Sequence, residues 1–313
     1  MPPKVNASII LATRNRLALL EQTLASIAQL DTEGIEWELI IVDNDGGESA
    51  SSTIELFSSR LPIKALHEPK PGKNRALNKA LDHANGELFL FLDNDVSLPS
   101  GWLKGYLDAA TRWPDDDIFG GPVWPVFPAG TPEWMASARF PFAAMAFGRY
   151  EPGVIEGPVS NPPYGANLAM RAGVFEDVRY NPDVGPDGTK NYRMGSETEL
   201  LLRLAQKGHR FIFVPEVSVN HVITADQTEV DWLVRRATRD GRQAAAALQN
   251  FKGKRIFGVP RYLLRGLMEE TASLAASMLA GPEARCICRM QYAKTWEMIK
   301  ETRRSHPQPA VHR

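Results

Sequence analysis

The sequence predicts an α/β protein built on a mostly parallel central sheet. Short, mainly apolar runs alternate with stretches of helical period through the first hundred residues, and those at 7–12, 38–42 and 88–92 stop at polar or acidic clusters. Strands buried on both faces read as continuous apolar runs, and strand–helix–strand order lays such strands parallel. No apolar run approaches the roughly 18–20 residues of a membrane span.

The elements follow in order. Residues 7–12 (ASIILA) form the first strand, closed by Thr13-Arg14-Asn15-Arg16. A helix then sets Leu17, Leu20, Leu24 and Ile27 on one face at spacings of three and four. Residues 38–42 (ELIIV) are the second strand, ending at the turn signal Asp43-Asn44-Asp45-Gly46-Gly47. Residues 49–59 read as helix, 63–67 as a third strand and 74–84 as helix, while 88–92 (LFLFL) are a fourth strand closed by Asp93-Asn94-Asp95. Residues 120–167 hold nine prolines and many aromatics, which predicts a loop-rich lid or binding wall. Regular structure returns with a helix at 197–207, strands at 211–215 and 217–222, and helices from 231 onward. There Leu263, Leu267, Leu274 and Met278 mark an amphipathic stripe, and the tail from 305 reads as frayed.

Of the 313 residues, 43% are hydrophobic and 23% charged, which excludes wholesale disorder, collagen and coiled coil. The net charge of -1 conceals an asymmetry: residues 235–313 carry 16 Lys/Arg against 6 Asp/Glu, and the first 234 carry 20 against 31. Such a chain has two regions with different partners. Two cysteines, Cys286 and Cys288, make no disulfide framework and lack partners for a zinc site. With no signal-peptide core at the start, the expected location is cytoplasmic.

In open parallel sheets, ligands bind beyond the carboxyl ends of the strands, and the clusters at 13–16, 43–46 and 93–95 all fall there. Asp93 and Asp95 offer hard oxygens suited to Mg²⁺ or Mn²⁺ holding a diphosphate; the plainer reading is a solvated turn. Asp43 either accepts hydrogen bonds from a nucleobase or ribose or serves a helix N-terminus. Lys73 and Arg75 lie where a phosphate could sit, behind the turn at Gly72, or else on a solvated helix face. Glu197 and Glu199 open a helix, where acids favour the helix dipole. Their i, i+2 spacing lets at most one face a ligand as general base. His221 sits in an apolar strand, as a structural imidazole or as a ligand.

The order LATRNR, IIVDND, PGKNRALNKAL, LFLFLDNDVSLPSGWL, YGANLAMRAGVF and GSETELLLRLAQKGHRFIFVPEVSVNH resembles glycosyltransferase family 2 over residues 7–223. The resemblance implies a GT-A fold, a Rossmann-like nucleotide-binding sandwich, here with a helical C-terminal extension. It implies a catalytic domain over 1–230, with a donor half to about 119 and an acceptor half from 120, followed by a basic helical region over 231–313. By the same resemblance Thr13, Asn15 and Asp43 hold the nucleoside, usually uridine, and Lys73 lies near the phosphates. Asp93 faces the ribose or sugar, Asn94 binds the donor, Asn167 binds it from the loop lining the donor sugar, and Asp95 and His221, with Asp93, hold Mn²⁺ or Mg²⁺. Glu197 falls where the family has its catalytic Asp, and Leu77 where many members have Arg.

The implied function is metal-dependent, inverting transfer of a sugar from a nucleotide-sugar to a hydroxyl of a glycan, glycolipid or lipid-linked acceptor. Two alternatives are a sugar-nucleotide nucleotidyltransferase, which needs a Gly-rich signature that LATRNR lacks, and an inactive nucleotide-sugar or glycan-binding scaffold. The basic C-terminal region either makes peripheral contact with an anionic membrane or packs as a solvated helical face. Nucleic acid is not an expected partner, because the front of the chain is acidic and carries no recognition motif.

Overall fold

The structure is a computed structural model that describes residues 5–44 and 49–305; Asp45, Gly46 and Gly47 of the second turn and the tail beyond Ser305 lie outside the described residues. In chain order the first elements are β1 (Ala7–Thr13), α1 (Leu17–Ile27), β2 (Trp37–Asp43), α2 (Ser51–Phe57), β3 (Ile63–His67) and α3 (Lys73–Leu81). Next come β4 (Leu88–Leu92), β5 (Val96–Ser97), α4 (Trp102–Arg112), β6 (Ile118–Gly120), β7 (Val123–Val126), α5 (Glu133–Ala136) and α6 (Ala143–Phe147). They are followed by β8 (Gly157–Val159), β9 (Leu168–Arg171), α7 (Ser196–Gln206), β10 (Phe211–Phe213) and β11 (Val219–Val222). The chain then continues through α8 (Val230–Ala247), β12 (Arg255–Ile256), β13 (Val259–Pro260), α9 (Arg261–Ser277) and α10 (Pro282–Ser305).

The chain divides into two compact units, one made of residues 1–126, 148–189 and 196–222, the other of 127–147, 190–195 and 223–313. The first unit contains an eight-stranded sheet of order β3-β2-β1-β4-β9-β6-β10-β8. Strands β3, β2, β1 and β4 run parallel, as do β6 and β10, whereas β9 is antiparallel to both β4 and β6. Alternate residues of the apolar runs feed opposite faces. Ile9, Leu11, Leu39, Ile41, Leu88 and Leu90 join one core with α1, α2 and α4, while Ile10, Ile40, Val42, Phe89 and Phe91 join the other with α3 and α7. That two-sided burial is why the interiors of these strands are almost wholly apolar.

The loop-rich segment resolves into short strands and two helices of one turn. Its residues 127–147 group with the C-terminal helices, and Met135, Phe140 and Phe147 share a core with Leu233, Ala237 and Met290. In this second unit Leu263 is buried and Leu267 packs beside it, but Met278, the residue after α9, is exposed, so it is not part of the expected stripe. No helix among the described residues is long and apolar enough to cross a membrane.

A single amide ties the first unit together beneath the strand ends. Asn167, wholly buried, accepts hydrogen bonds from Trp102 Nε1 (2.9 Å) and Tyr106 Oη (2.8 Å) and donates to the carbonyls of Pro122 (3.0 Å) and Val217 (2.6 Å). It thereby joins α4 to the segments entering β7 and β11. Replacing it by Leu would leave Trp102 Nε1, the Tyr106 hydroxyl proton and the Val217 carbonyl without a partner, each costing about 1–3 kcal/mol, while the Pro122 carbonyl keeps the N–H of Val219. Asn167→Leu is expected to lower stability by at least about 3 kcal/mol on that scale, read in a urea unfolding curve; an unchanged midpoint would contradict the tether.

Candidate active site

The carboxyl ends of β1, β2 and β4 bring most of the expected residues into one region of the first unit. Asp43 ends β2 and is buried. Its Oδ2 accepts from the backbone N–H of Ala50 (2.9 Å) and from Ser49 Oγ (3.4 Å), at the entry to α2. Its Oδ1 is equally buried and has no hydrogen-bond partner among the described residues. The helix-entry role of Asp43 thus falls on Oδ2. Asn44 brackets the next loop, donating to the carbonyls of Glu68 and Lys70 and accepting from the N–H of Gly72, which positions the start of α3.

Lys73, the first residue of α3, is the hub. Its Nζ donates to Asp93 Oδ1 and to Glu197 Oε1, both at 2.6 Å. Burial alone would depress the lysine pKa, but Asp93 and Glu197 outweigh it and hold the ammonium charged well above the usual lysine range. Glu197 lies in the first turn of α7, and its carboxylate rests against Gly165: a Cβ at that glycine would come within 2.2 Å of Oε1. Glu199 points elsewhere and pairs with Arg203 one turn on, at 2.8 Å. Of the two glutamates, the structure brings Glu197 to the cluster.

Asp95 is buried beyond β4. Its Oδ2 accepts from Arg16 (2.6 Å); its Oδ1 forms no hydrogen bond and lies 3.4 Å from His221 Nε2. Burial opposes the Asp95 charge, yet His221, Arg16 and Lys73 outweigh it and hold the carboxyl below its ordinary range. His221 is on β11, paired antiparallel with β5 so that His221 stands opposite Val96, the residue after Asp95. Thr13 is buried at the end of β1 and accepts from Asn94 Nδ2 at 2.9 Å. Asn15, exposed, turns the chain between β1 and α1 with φ at 51°.

Asn167 is not brought to this cluster. Every polar atom of its side chain is engaged in the tether described above, so no atom is left to line a sugar. Sequence reasoning passed over Arg16 and Gly165. Arg16 lies in the polar cluster after β1, where a cation faces the acids after β4; Gly165, in YGAN, shows its purpose only through its distance to Glu197.

The donor set at Asp95 suits a divalent cation. One buried carboxylate oxygen without a hydrogen bond and one imidazole nitrogen are side by side, and such ions accept oxygen and nitrogen ligands. Among the described residues no group of three or more His, Cys, Asp or Glu is arranged to hold a metal.

Known proteins give the same architecture. Residues 8–179 match the model of the glycosyl transferase family 2 domain. The chain is 24% identical over 245 residues to the glucosyl-dolichyl phosphate glucuronosyltransferase of Haloferax volcanii, covering 76% of this chain and 75% of that one. It is 32% identical over 108 residues to the GalNAc(5)-diNAcBac-PP-undecaprenol beta-1,3-glucosyltransferase of Campylobacter jejuni, where the match spans 34% of either chain. Among solved structures, the mannosyltransferase PcManGT from Pyrobaculum calidifontis, in complex with GDP-Man and Mn²⁺, superposes with a TM-score of 0.59 at 20% identity, over 96% of this chain and 88% of that one. The family match extends over more than half of the sequence and the sheet carries the expected acids at its strand ends, so the chain belongs to glycosyltransferase family 2 and is a glycosyltransferase of GT-A fold.

Proposed function

We propose that this enzyme moves a sugar from a nucleoside diphosphate sugar, with UDP as the first candidate nucleotide, to a hydroxyl of a glycan, glycolipid or lipid-linked acceptor, with inversion and with help from a divalent cation. The observation that carries the reading is the Lys73 bridge, which draws the acid after β4 and the glutamate at the start of α7 to one ammonium.

Asp43 Oδ1 takes an N–H of the nucleobase, a role open to it because Oδ2 alone serves α2. Asp95 and His221 are the residues to hold Mn²⁺ or Mg²⁺, which when bound would neutralise charge on the diphosphate. Asp93 faces the ribose or sugar, Lys73 and Arg16 supply positive charge to the departing diphosphate, and Thr13, Asn15 and Asn94 shape the nucleotide end. Glu197 accepts the proton of the acceptor hydroxyl while that oxygen bonds to the anomeric carbon. The bond from that carbon to the diphosphate breaks as the new one forms, and the nucleoside diphosphate leaves with the electron pair.

Peripheral membrane contact belongs to the same reading. The two-residue turn of the β12–β13 hairpin holds Phe257 at φ 51° and 70% exposed beside the exposed Ile256. Lys252, Lys254, Arg255 and Arg261 flank it in sequence. An apolar tip with a basic collar suits an anionic bilayer surface.

Three outcomes are expected. A nucleotide-sugar with Mn²⁺ raises the melting temperature of wild type, and Asp95→Ala loses the metal-dependent part; no response to any donor at saturating concentration would sink the donor assignment. Glu197→Gln lowers kcat by roughly 10²–10⁴-fold with donor affinity retained, and near-normal turnover would move the base elsewhere. Phe257→Asp reduces co-sedimentation with anionic vesicles, whereas unchanged pelleting would remove the hairpin from the membrane model.

A further inference from the structure

Helix α8 carries four arginines on neighbouring turns, Arg235, Arg236, Arg239 and Arg242, all within the second unit. The spacings 235–239 and 236–239 put three of them side by side, an arrangement that costs helix stability through like-charge repulsion. The nearby acids are already engaged: Glu297 takes Arg242 at 2.8 Å and also pairs with Lys300, Asp240 takes Lys294 at 2.7 Å, and Asp231 takes Arg289 at 2.7 Å. Arg236 spends its Nε on the carbonyl of Met145. Among the described residues neither Arg235 nor Arg239 has a carboxylate partner.

Arg239 is the informative member. Its guanidinium lies over the ring of Tyr192, 5.0 Å from the centroid, and its Nε is shut off from solvent without an acceptor. Water therefore does not compensate that N–H, unlike the groups of an ordinary solvated arginine. Burial, together with the neighbouring Arg236, Arg235 and Arg242, pushes the Arg239 pKa down, the mark of a cation lacking its counter-charge. Tyr192 sits on the strip 190–195 of this same unit, where Arg193 is fixed by Gln243 at 2.7 Å, so the platform under Arg239 is held in place.

We propose that Arg235, Arg236 and Arg239, with Tyr192 as platform, form a binding site for a phosphate group, and that in the transferase described above this phosphate is carried by the acceptor. Planar guanidinium groups match phosphate oxygens in paired hydrogen bonds, and a cluster of three without a carboxylate suits a dianion. The acceptor assignment rests on the glycosyl-transfer reading, whereas the phosphate site stands on the geometry of α8 and the strip 190–195.

The test uses the full chain and three probes, farnesyl phosphate below its micelle concentration, inorganic phosphate and farnesol, with binding followed by calorimetry. Wild type is expected to bind a phosphate-bearing probe. Arg239→Gln and the exposed Arg235→Gln should each weaken that binding about tenfold, the loss of one charge-assisted hydrogen bond. Stabilisation by nucleotide-sugar and Mn²⁺ should persist in both variants. Farnesyl phosphate binding alone assigns the site to a lipid headgroup, and equal binding of inorganic phosphate assigns it to a free anion. Affinity unchanged in both variants, or farnesol binding as well as its phosphate, overturns the proposal. Loss of donor stabilisation in wild type itself would strike the glycosyl-transfer reading and leave the α8 result standing separately.

Discussion

Concentrating negative charge at the edge of a buried sheet is the constraint that organises this enzyme. Asp43, Asp93 and Asp95 lie together because parallel strands deliver their carboxyl ends to one side, and the start of α7 adds Glu197 through Lys73. Left alone, such carboxylates would repel one another in surroundings where water screens them poorly. Lys73 and Arg16 answer that repulsion with charge-assisted bonds of 2.6 Å, and His221 stands against the remaining oxygen of Asp95. The cations are thus part of the fold before any substrate arrives, since removing one would leave a partly buried acid uncompensated. On the proposed reading, a donor's negatively charged diphosphate would meet positive groups whose positions are already fixed, which would limit the reorganisation that catalysis has to drive.

The packing beneath the site serves that arrangement. Asn44 fixes the loop into α3 and so places Lys73. Thr23 accepts from the N–H of Val96 and donates to its carbonyl, anchoring the short strand that follows Asp95 to α1. Gly165 yields the space that the longer glutamate side chain at 197 occupies. The resemblance leads one to expect Asp at this position; the missing Cβ of Gly165 leaves room for the additional methylene of Glu197.

Much of this was legible in the sequence because the strands are buried on both faces. The runs at 63–67 and 88–92 have the same bounds in the structure, and those at 7–12 and 38–42 gain one residue or one at each end. Strand β9 was hidden: four residues inserted antiparallel between β4 and β6 carry no periodicity of their own. Glu199 could have been separated from Glu197 by the arginine four residues on, since an i, i+4 ion pair is a local signal. Asn167 could not, because an amide that lines a ligand and an amide that ties four buried groups are the same letter. Charge asymmetry marked the C-terminal region as distinct, but recruitment of 127–147 to it depends on apolar contacts distant in sequence.

The chain passes between its two units after residues 126, 147, 189, 195 and 222. It is therefore stitched, and the C-terminal helices are no detachable module. A cut after 222 would take away Leu233, Ala237 and Met290 while leaving Met135, Phe140 and Phe147 without the side chains that cover them. The exposed remnant would be an adhesive apolar patch in the middle of the catalytic chain. Exchanging the rear of this enzyme for that of another therefore requires carrying three separate stretches of sequence together, 127–147, 190–195 and the segment from 223 onward.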